Sequence, residues 1–391
     1  MKTIKLIIPT ALLFFTFAFN AFSQGIAEED DFYRAAETSN YAAVEFFKII
    51  EEHNKEANIY FAPFALYVAC AMLFEGASDK TYDEFLNIFY FPDDLVKRRE
   101  IFLSWIKSKD AVVKNSFWLS SEYDFLNTYK IVLEKYYSAD FNAKVDFTKQ
   151  SSFSKINKKI EGGAGSLPEG IFDAETQAVV VNTADFLGKW KDVFDKRASL
   201  TDDFYMSKGK RIKAKFLRRE GRHLYFEDRR IQLLKLEFDK SHLSALFILP
   251  KQNKIHYAQQ YLYKNSLKAI LGNLTMQKAV VYIPEFNFYG LYDFADVIYA
   301  LGIKSPQYVK ISLDRPLITN LFHGTSIKVD YDLKIPPAKI IDVGASGETT
   351  KQIERDIPPF VFRADHPFIF MILDENDGKI LFMGKVANPS E

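Results

Sequence analysis

Apolar residues change their spacing along this chain, and the change limits which folds are open to it. Residues 35–52 and 64–74 carry apolar side chains at helical spacing. The later apolar segments are short and bounded by glycine, proline or charged residues; they are 178–181, 243–249, 279–283 and 380–383. Helices followed by many strands favour an α+β protein with large sheets. No linker, repeat or shift of composition interrupts residues 24–358, so we predict one domain.

The first 23 residues predict a cleavable signal peptide. Lys2 and Lys5 precede an apolar run at 6–22, and small residues at Ala21 and Ser23 favour cleavage after Ser23. An uncleaved membrane anchor is the alternative, but the run is short for a membrane span. No other stretch is long and apolar enough to cross a bilayer. We therefore expect a secreted, extracellular protein of residues 24–391 that does not associate with membranes.

The composition and motifs argue against several function classes. The 51 basic and 51 acidic residues cancel, so overall charge does not favour nucleic acid. The sequence has no phosphate-binding glycine loop, no nucleophile elbow and no paired histidines at metal-ligand spacing. We expect no enzyme, metal or cofactor. The lone Cys70 lies in an apolar helical segment and is predicted to be buried, and Asn273 begins the one glycosylation sequon.

Several separate motifs carry a resemblance to a known family. They are NIYFAPFAL at 58–66, VNTADFLGKW at 181–190, FRADHPFIF at 362–370 and LFMGKVANP at 381–389. In this order, over residues 30–389, they closely resemble the serpins, a superfamily of serine protease inhibitors. The resemblance implies a monomeric, single-domain α+β fold with a large central sheet, further sheets and eight or nine helices. It also implies an exposed reactive loop near the carboxyl end, at about residues 331–361.

The resemblance implies inhibition by conformational change, in which the cleaved loop enters the main sheet as a new strand. Aligned from His323, the hinge of this loop is Leu333, Lys334, Ile335, Pro336, Pro337, Ala338 and Lys339. Inhibitory serpins usually carry glycine, threonine and alanines here. Proline lacks the N–H that a central strand donates, and a buried lysine is costly. The hinge therefore predicts weak or absent trapping of a protease.

Two features of the loop leave alternatives open. Aligned backwards from residues 365–368, the flexible segment 343–350 would be the hinge instead, although the strand leading out of His323 favours the first register. Lys351 and Arg355 are basic, so a trypsin-like serine protease could cut there, and Arg355–Asp356 is the candidate scissile bond. The other interpretation is that both are ordinary solvated charges.

The resemblance also implies a region beneath the main sheet on which sheet opening depends. Asn182 and His323 are retained there, whereas Ala62 and Ala65 stand where the family commonly has serines. Because serine hydroxyls would support a polar network, their loss predicts a weaker one. The alternative is that Asn182 and His323 are satisfied core residues without a switching role.

Basic residues crowd residues 208–230, and some serpins bind sulfated polysaccharides. Here, however, Arg211, Lys213 and Lys215 alternate with apolar residues, which predicts a strand with one solvated, charged face.

Two function classes remain: a secreted protease inhibitor, and a non-inhibitory serpin that acts as a binding, carrier or signalling protein.

Overall fold

A computed structural model describes residues 31–109, 111–160, 165–239, 242–304, 306–330 and 359–390. Several predicted features lie outside these residues. They are the signal peptide 1–23, the hinge Leu333–Lys339, the alternative hinge 343–350, Lys351, and the candidate scissile bond Arg355–Asp356.

The described residues form nine α-helices and fourteen strands. The helices are α1 (Asp31–His53), α2 (Pro63–Gly76), α3 (Asp79–Phe89), α4 (Leu95–Ile106), α5 (Asn127–Tyr137), α6 (Gln150–Ile160), α7 (His256–Lys264), α8 (Leu267–Gly272) and α9 (Ala295–Leu301). The strands are β1 (Ile59–Phe61), β2 (Ala111–Ser120), β3 (Ala139–Val145), β4 (Ala178–Phe186), β5 (Leu200–Tyr205), β6 (Arg211–Glu227), β7 (Ile231–Glu237), β8 (Leu243–Pro250), β9 (Thr275–Pro284), β10 (Phe286–Asp293), β11 (Ile318–Val329), β12 (Phe360–Arg363), β13 (Phe368–Asp374) and β14 (Ile380–Val386).

The five-stranded sheet has the order β10-β11-β4-β2-β3. Its centre is a parallel pair, because β4 and β11 run in the same direction and are hydrogen-bonded to each other. Helix α6 packs on one face of this sheet, where Ile156 and Ile160 join Trp118, Val181 and Phe322 in a separate apolar cluster. The sheet is therefore buried on both faces at this end, as parallel strands require.

The nine-stranded sheet has the order β1-β14-β13-β8-β7-β6-β9-β12, and β5 pairs with β6 at one side. Both strands of the β13–β14 hairpin are buried along their whole length, and Gly378 in the turn between them has a φ of 74°. The apolar segment predicted at 380–383 lies in β14, so that strand prediction is confirmed. The alternation of exposed and apolar residues predicted at the start of β6 is confirmed as well.

Helix α2 joins the two sheets through the core. It is apolar around nearly its whole circumference, and Cys70 is buried within it. Pro63 occupies its first turn, where the missing N–H costs no hydrogen bond. Just before it, β1 passes so close to β10 that a Cβ on Gly290 would lie 1.9 Å from the carbonyl oxygen of Tyr60. None of the described helices combines the length and apolar composition that crossing a membrane requires.

Candidate functional site

Polar side chains form a row across the middle of the five-stranded sheet. Tyr292, His323, Asn182 and Asn115 lie opposite one another on β10, β11, β4 and β2. Directly opposed residues of neighbouring strands share one face, so all four side chains point to the same side of the sheet. Each is buried, and Asn182 and His323 are fully inaccessible to solvent.

Hydrogen bonds connect this row to α2 and α5. The amide of Ala62 donates to Nε2 of His323 over 3.0 Å, and Nδ1 of His323 donates to Oδ1 of Asn182 over 2.6 Å. Asn182 donates to Oδ1 of Asn115 over 2.7 Å, and Asn115 donates to the carbonyl of Tyr137 over 2.8 Å. The chain of donors runs in one direction, from the start of α2 to the end of α5.

The direction of the chain determines the state of the imidazole. Because the amide of Ala62 can only donate, Nε2 of His323 is an acceptor and Nδ1 carries the proton. A second proton on the ring would make Nε2 a donor as well, so two donors, Nε2–H and the amide of Ala62, would face each other. Burial independently lowers the pKa of His323 to about 3. His323 is therefore neutral at physiological pH, with both ring nitrogens in hydrogen bonds.

The two alanines singled out from the sequence contribute differently. Ala62 and Ala65 are both fully buried, and neither side chain can take part in a polar network. Ala62 nevertheless supplies its backbone amide to His323, because Pro63 starts the helix immediately after it. Sequence analysis identified Asn182 and His323 but missed Asn115. Asn115 lies outside the motifs that carry the family resemblance, so the resemblance gave it no role.

A second side-chain bond joins the same two strands nearer to their exit. Ser326 on β11 donates to Oδ1 of Asp185 on β4 over 2.8 Å, and these residues are the last pair in the parallel register. Burial raises the pKa of Asp185, although the hydrogen bond from Ser326 and the charge of Lys114 lower it. This bond closes the sheet between β4 and β11 at the end from which the loop departs.

This arrangement defines what sheet opening would require. Strand β11 ends at Val329, next to the segment that carries the predicted hinge. A strand that turned back between β11 and β4 would run antiparallel to both. It would double their separation of about 4.8 Å. The His323–Asn182 and Ser326–Asp185 hydrogen bonds would then break. Both are therefore part of the closed state of the sheet.

Comparison with known proteins decides the family. The family model described as Serpin (serine protease inhibitor) matches residues 37–389. The chain is a serpin. The serpin family consists mainly of inhibitors rather than catalytic enzymes. An uncharacterised serpin-like protein of Thermococcus kodakarensis is 28% identical over 356 residues, covering 85% of this chain and 81% of that protein. Human leukocyte elastase inhibitor is 27% identical over 380 residues, covering 89% of this chain and 97% of the inhibitor.

Solved structures agree on the serpin fold. A serpin of Arabidopsis in its native stressed conformation has a TM-score of 0.80 at 21% identity, covering 93% of this chain and 100% of that one. Human thyroxine-binding globulin has a TM-score of 0.77 at 19% identity, with the same coverage. The predicted fold class, a single serpin domain with large sheets and eight or nine helices, is confirmed.

The remaining predicted sites lie on the surface. The basic side chains at the start of β6 have carboxylate partners: Lys213 lies 2.9 Å from Asp203, and Lys215 lies 2.9 Å from Glu285. Asn273 is exposed at the end of α8, and its amide donates to the hydroxyl of Tyr261 over 3.0 Å. Within the described ranges, no group of three or more acidic, histidine or cysteine side chains could hold a metal ion.

Proposed function

We propose that this serpin is secreted, presents a loop at about residues 331–361 to a trypsin-like serine protease, and releases the protease after cleavage instead of trapping it. The observation that carries the proposal is the regular pairing of β11. Its register with β10 runs without a shift from Asp293–Phe322 to Phe286–Val329. This supports counting the hinge forward from His323, which puts Leu333 to Lys339 at the point of entry into the sheet.

The proposed weakness follows from backbone chemistry. A strand between β11 and β4 directs successive N–H groups alternately to its two neighbours. Pro336 and Pro337 therefore remove one donor toward each strand. Each buried carbonyl left unpaired costs about 1–3 kcal/mol, so the two together cost about 2–6 kcal/mol. Lys334 adds the cost of placing an ammonium group in the closing sheet. Insertion slowed by these penalties loses the competition with release of the protease.

The alternative is a non-inhibitory serpin that binds or carries a ligand. Thyroxine-binding globulin, a structural neighbour solved in complex with thyroxine, shows that the fold accommodates such a role in that protein. The ion pairs along β6 favour a solvated surface over a site for sulfated polysaccharide. Secretion is supported by the apolar leader at 6–22, and use of the Asn273 sequon by its exposure.

The test is to mix the protein with trypsin and to analyse the products on a denaturing gel. We expect cleavage after Lys351 or Arg355 and no stable covalent complex. The combined variant Lys334→Thr, Pro336→Ala and Pro337→Ala removes the three obstacles and should form a complex.

Arg355→Gln is the matched control, because it removes the preferred cleavage site and leaves the hinge unchanged. It should shift cleavage to Lys351 without creating a complex. A covalent complex of the unaltered protein with trypsin would contradict the proposal. Resistance of the whole loop to trypsin would instead favour the non-inhibitory alternative.

A further inference from the structure

Strand β12 lies at the edge of the nine-stranded sheet, and side chains from other strands hold its first residues. It comprises four residues, Phe360–Arg363, and in the described part of the chain it pairs with β9. The end of so short an edge strand frays easily, because few backbone hydrogen bonds hold it. Strand β12 also follows directly on the predicted reactive loop. Contacts that fix its first residues therefore fix the carboxyl-side end of that loop.

Gln232 on β7 reaches the start of β12. Its Nε2 donates to the carbonyl of Val361 over 2.9 Å and to the hydroxyl of Tyr225 over 2.6 Å. Strands β6 and β9 lie between β7 and β12 in the sheet order, so this contact is additional to the pairing of neighbouring strands. A carbonyl only accepts, so the amide nitrogen of Gln232 must face Val361, and both of its N–H groups are used.

Tyr225 on β6 holds the same end of β12 in two ways. Its ring stacks on Phe360, with the centroids 5.0 Å apart and the planes inclined by 29°. Its hydroxyl accepts from Gln232 and donates to Oε2 of Glu227 over 2.8 Å. Tyr225 is 1% exposed, and burial raises its pKa, so the hydroxyl keeps the proton that it donates. The ammonium group of Lys251 lies 3.1 Å from Glu227 and compensates the charge of that carboxylate.

A short connection joins these contacts to the candidate scissile bond. Four residues separate Arg355 from Phe360, and two of them are Pro358 and Pro359. Proline restricts the backbone to a narrow range of φ. A protease binds a segment more tightly when fewer conformations of that segment must be frozen. Fixing the start of β12 therefore favours binding of the bond after Arg355. Lys351 lies nine residues before Phe360 and should gain less.

We propose that Gln232 and Tyr225 are positioning residues, which hold the start of β12 and so direct a trypsin-like protease to the bond after Arg355. They act through the carbonyl of Val361 and the ring of Phe360. This inference rests on the proposed function, because it concerns the same loop and the same class of protease. It adds a reason why one of two basic residues in the loop is cut in preference to the other.

The experiment digests the full chain with trypsin and follows the initial rates of cleavage after Arg355 and after Lys351 by mass spectrometry. In one digest the ratio of these rates equals the ratio of kcat/KM at the two bonds. Gln232→Met keeps the length of the side chain and removes its donors. We expect it to lower the ratio of Arg355 to Lys351 cleavage about three- to fivefold. Measured in the Lys351→Gln background, KM should rise by this factor and kcat should stay the same.

Tyr225→Phe keeps the stacked ring and removes the hydroxyl, so it should lower the ratio less, by about twofold. Gln252→Met is the matched control, because it makes the same exchange at an exposed glutamine beyond the end of β8. It should leave the ratio unchanged. A general loss of stability would speed cleavage at both bonds and would not change their ratio, so the ratio separates positioning from a merely structural role.

An unchanged ratio in Gln232→Met would overturn this inference and leave the proposed release of the protease in place. A covalent complex with trypsin would contradict the release alone, because the residue at which the complex forms, Arg355 or Lys351, still reports the preference. A loop that trypsin does not cut would overturn both.

Discussion

His323 accepts a hydrogen bond from Ala62 and donates one to Asn182, which leaves no room on the ring for a second proton. The pKa of His323 falls to about 3 on folding, from about 6.5 in an unfolded chain. Between these values the unfolded chain binds the extra proton. The free energy of unfolding must therefore fall as the pH falls from 6.5, and it is unaffected by this group above pH 6.5.

We predict that the free energy of unfolding falls by about 2 kcal/mol as the pH falls from 6.5 to 5, because His323 binds a proton only in the unfolded chain. His323→Gln should be less stable at pH 7, because it disturbs the hydrogen bonds to Ala62 and Asn182. The slope of its free energy of unfolding against pH should, however, be smaller, by an amount that corresponds to about one bound proton. Urea unfolding at several pH values measures both effects. An equal slope for His323→Gln and the unaltered protein would refute a neutral His323.

Residue roles could be predicted from the sequence only where the family motif covers them. Asn182 lies in the motif at 181–190, and the resemblance matches His323 to the family's histidine beneath the main sheet; both lie in one buried row. Asn115 belongs to no such motif, and its part depends on the register of β2 against β4, which is a long-range property of the sheet.

At the scale of elements, β4 and β11 are joined by backbone pairing and by two side-chain bonds of different character. The His323–Asn182 bond is buried beneath the sheet, whereas the Ser326–Asp185 bond is half-buried near the loop. Burial raises the pKa of Asp185, so its charge lowers stability as the pH rises from the unfolded value of about 4 through the folded pKa. The bond from Ser326 offsets part of that cost.

We predict that Ser326→Ala loosens the exit end of this strand pair. Loss of a hydrogen bond worth about 1 kcal/mol should speed amide hydrogen exchange about fivefold in residues 324–329 and 183–186. Asp185→Asn keeps an acceptor and removes the buried charge, so exchange at pH 7 should be equal or slower. Lys328→Ala, at an exposed position on the same strand, is the control. Unchanged exchange in Ser326→Ala would show that backbone pairing alone holds the two strands together.

At the scale of the whole molecule, hydrophobic spacing predicted that helices come first along the chain and strands later. It could not predict which strands are neighbours within a sheet. The nine-stranded sheet combines β1 from the first quarter of the chain with β14 from its end. Local pattern contains no information on such pairings. The parallel contact of β4 with β11 bridges well over a hundred residues in the same way. The family resemblance predicted a large central sheet and further sheets, but not the order of their strands.

The closed central sheet leads to a prediction for the molecule as a unit. Trypsin cleavage in the loop frees its amino-terminal part, and an inserting loop would add a strand between β4 and β11. We expect the melting temperature of the unaltered protein to change by no more than a few degrees after cleavage. The variant Lys334→Thr, Pro336→Ala and Pro337→Ala should melt about 10–20 °C higher once cleaved, because insertion is then unopposed.

The same variant before cleavage is the control, and its melting temperature should match that of the uncleaved unaltered protein. The comparison also separates the two hinge registers. If residues 343–350 formed the hinge, changes at 334–337 would not affect insertion, and both cleaved proteins would gain stability equally. A marked rise in the cleaved unaltered protein would therefore contradict the register counted from His323, and with it the proposal that the protease is released.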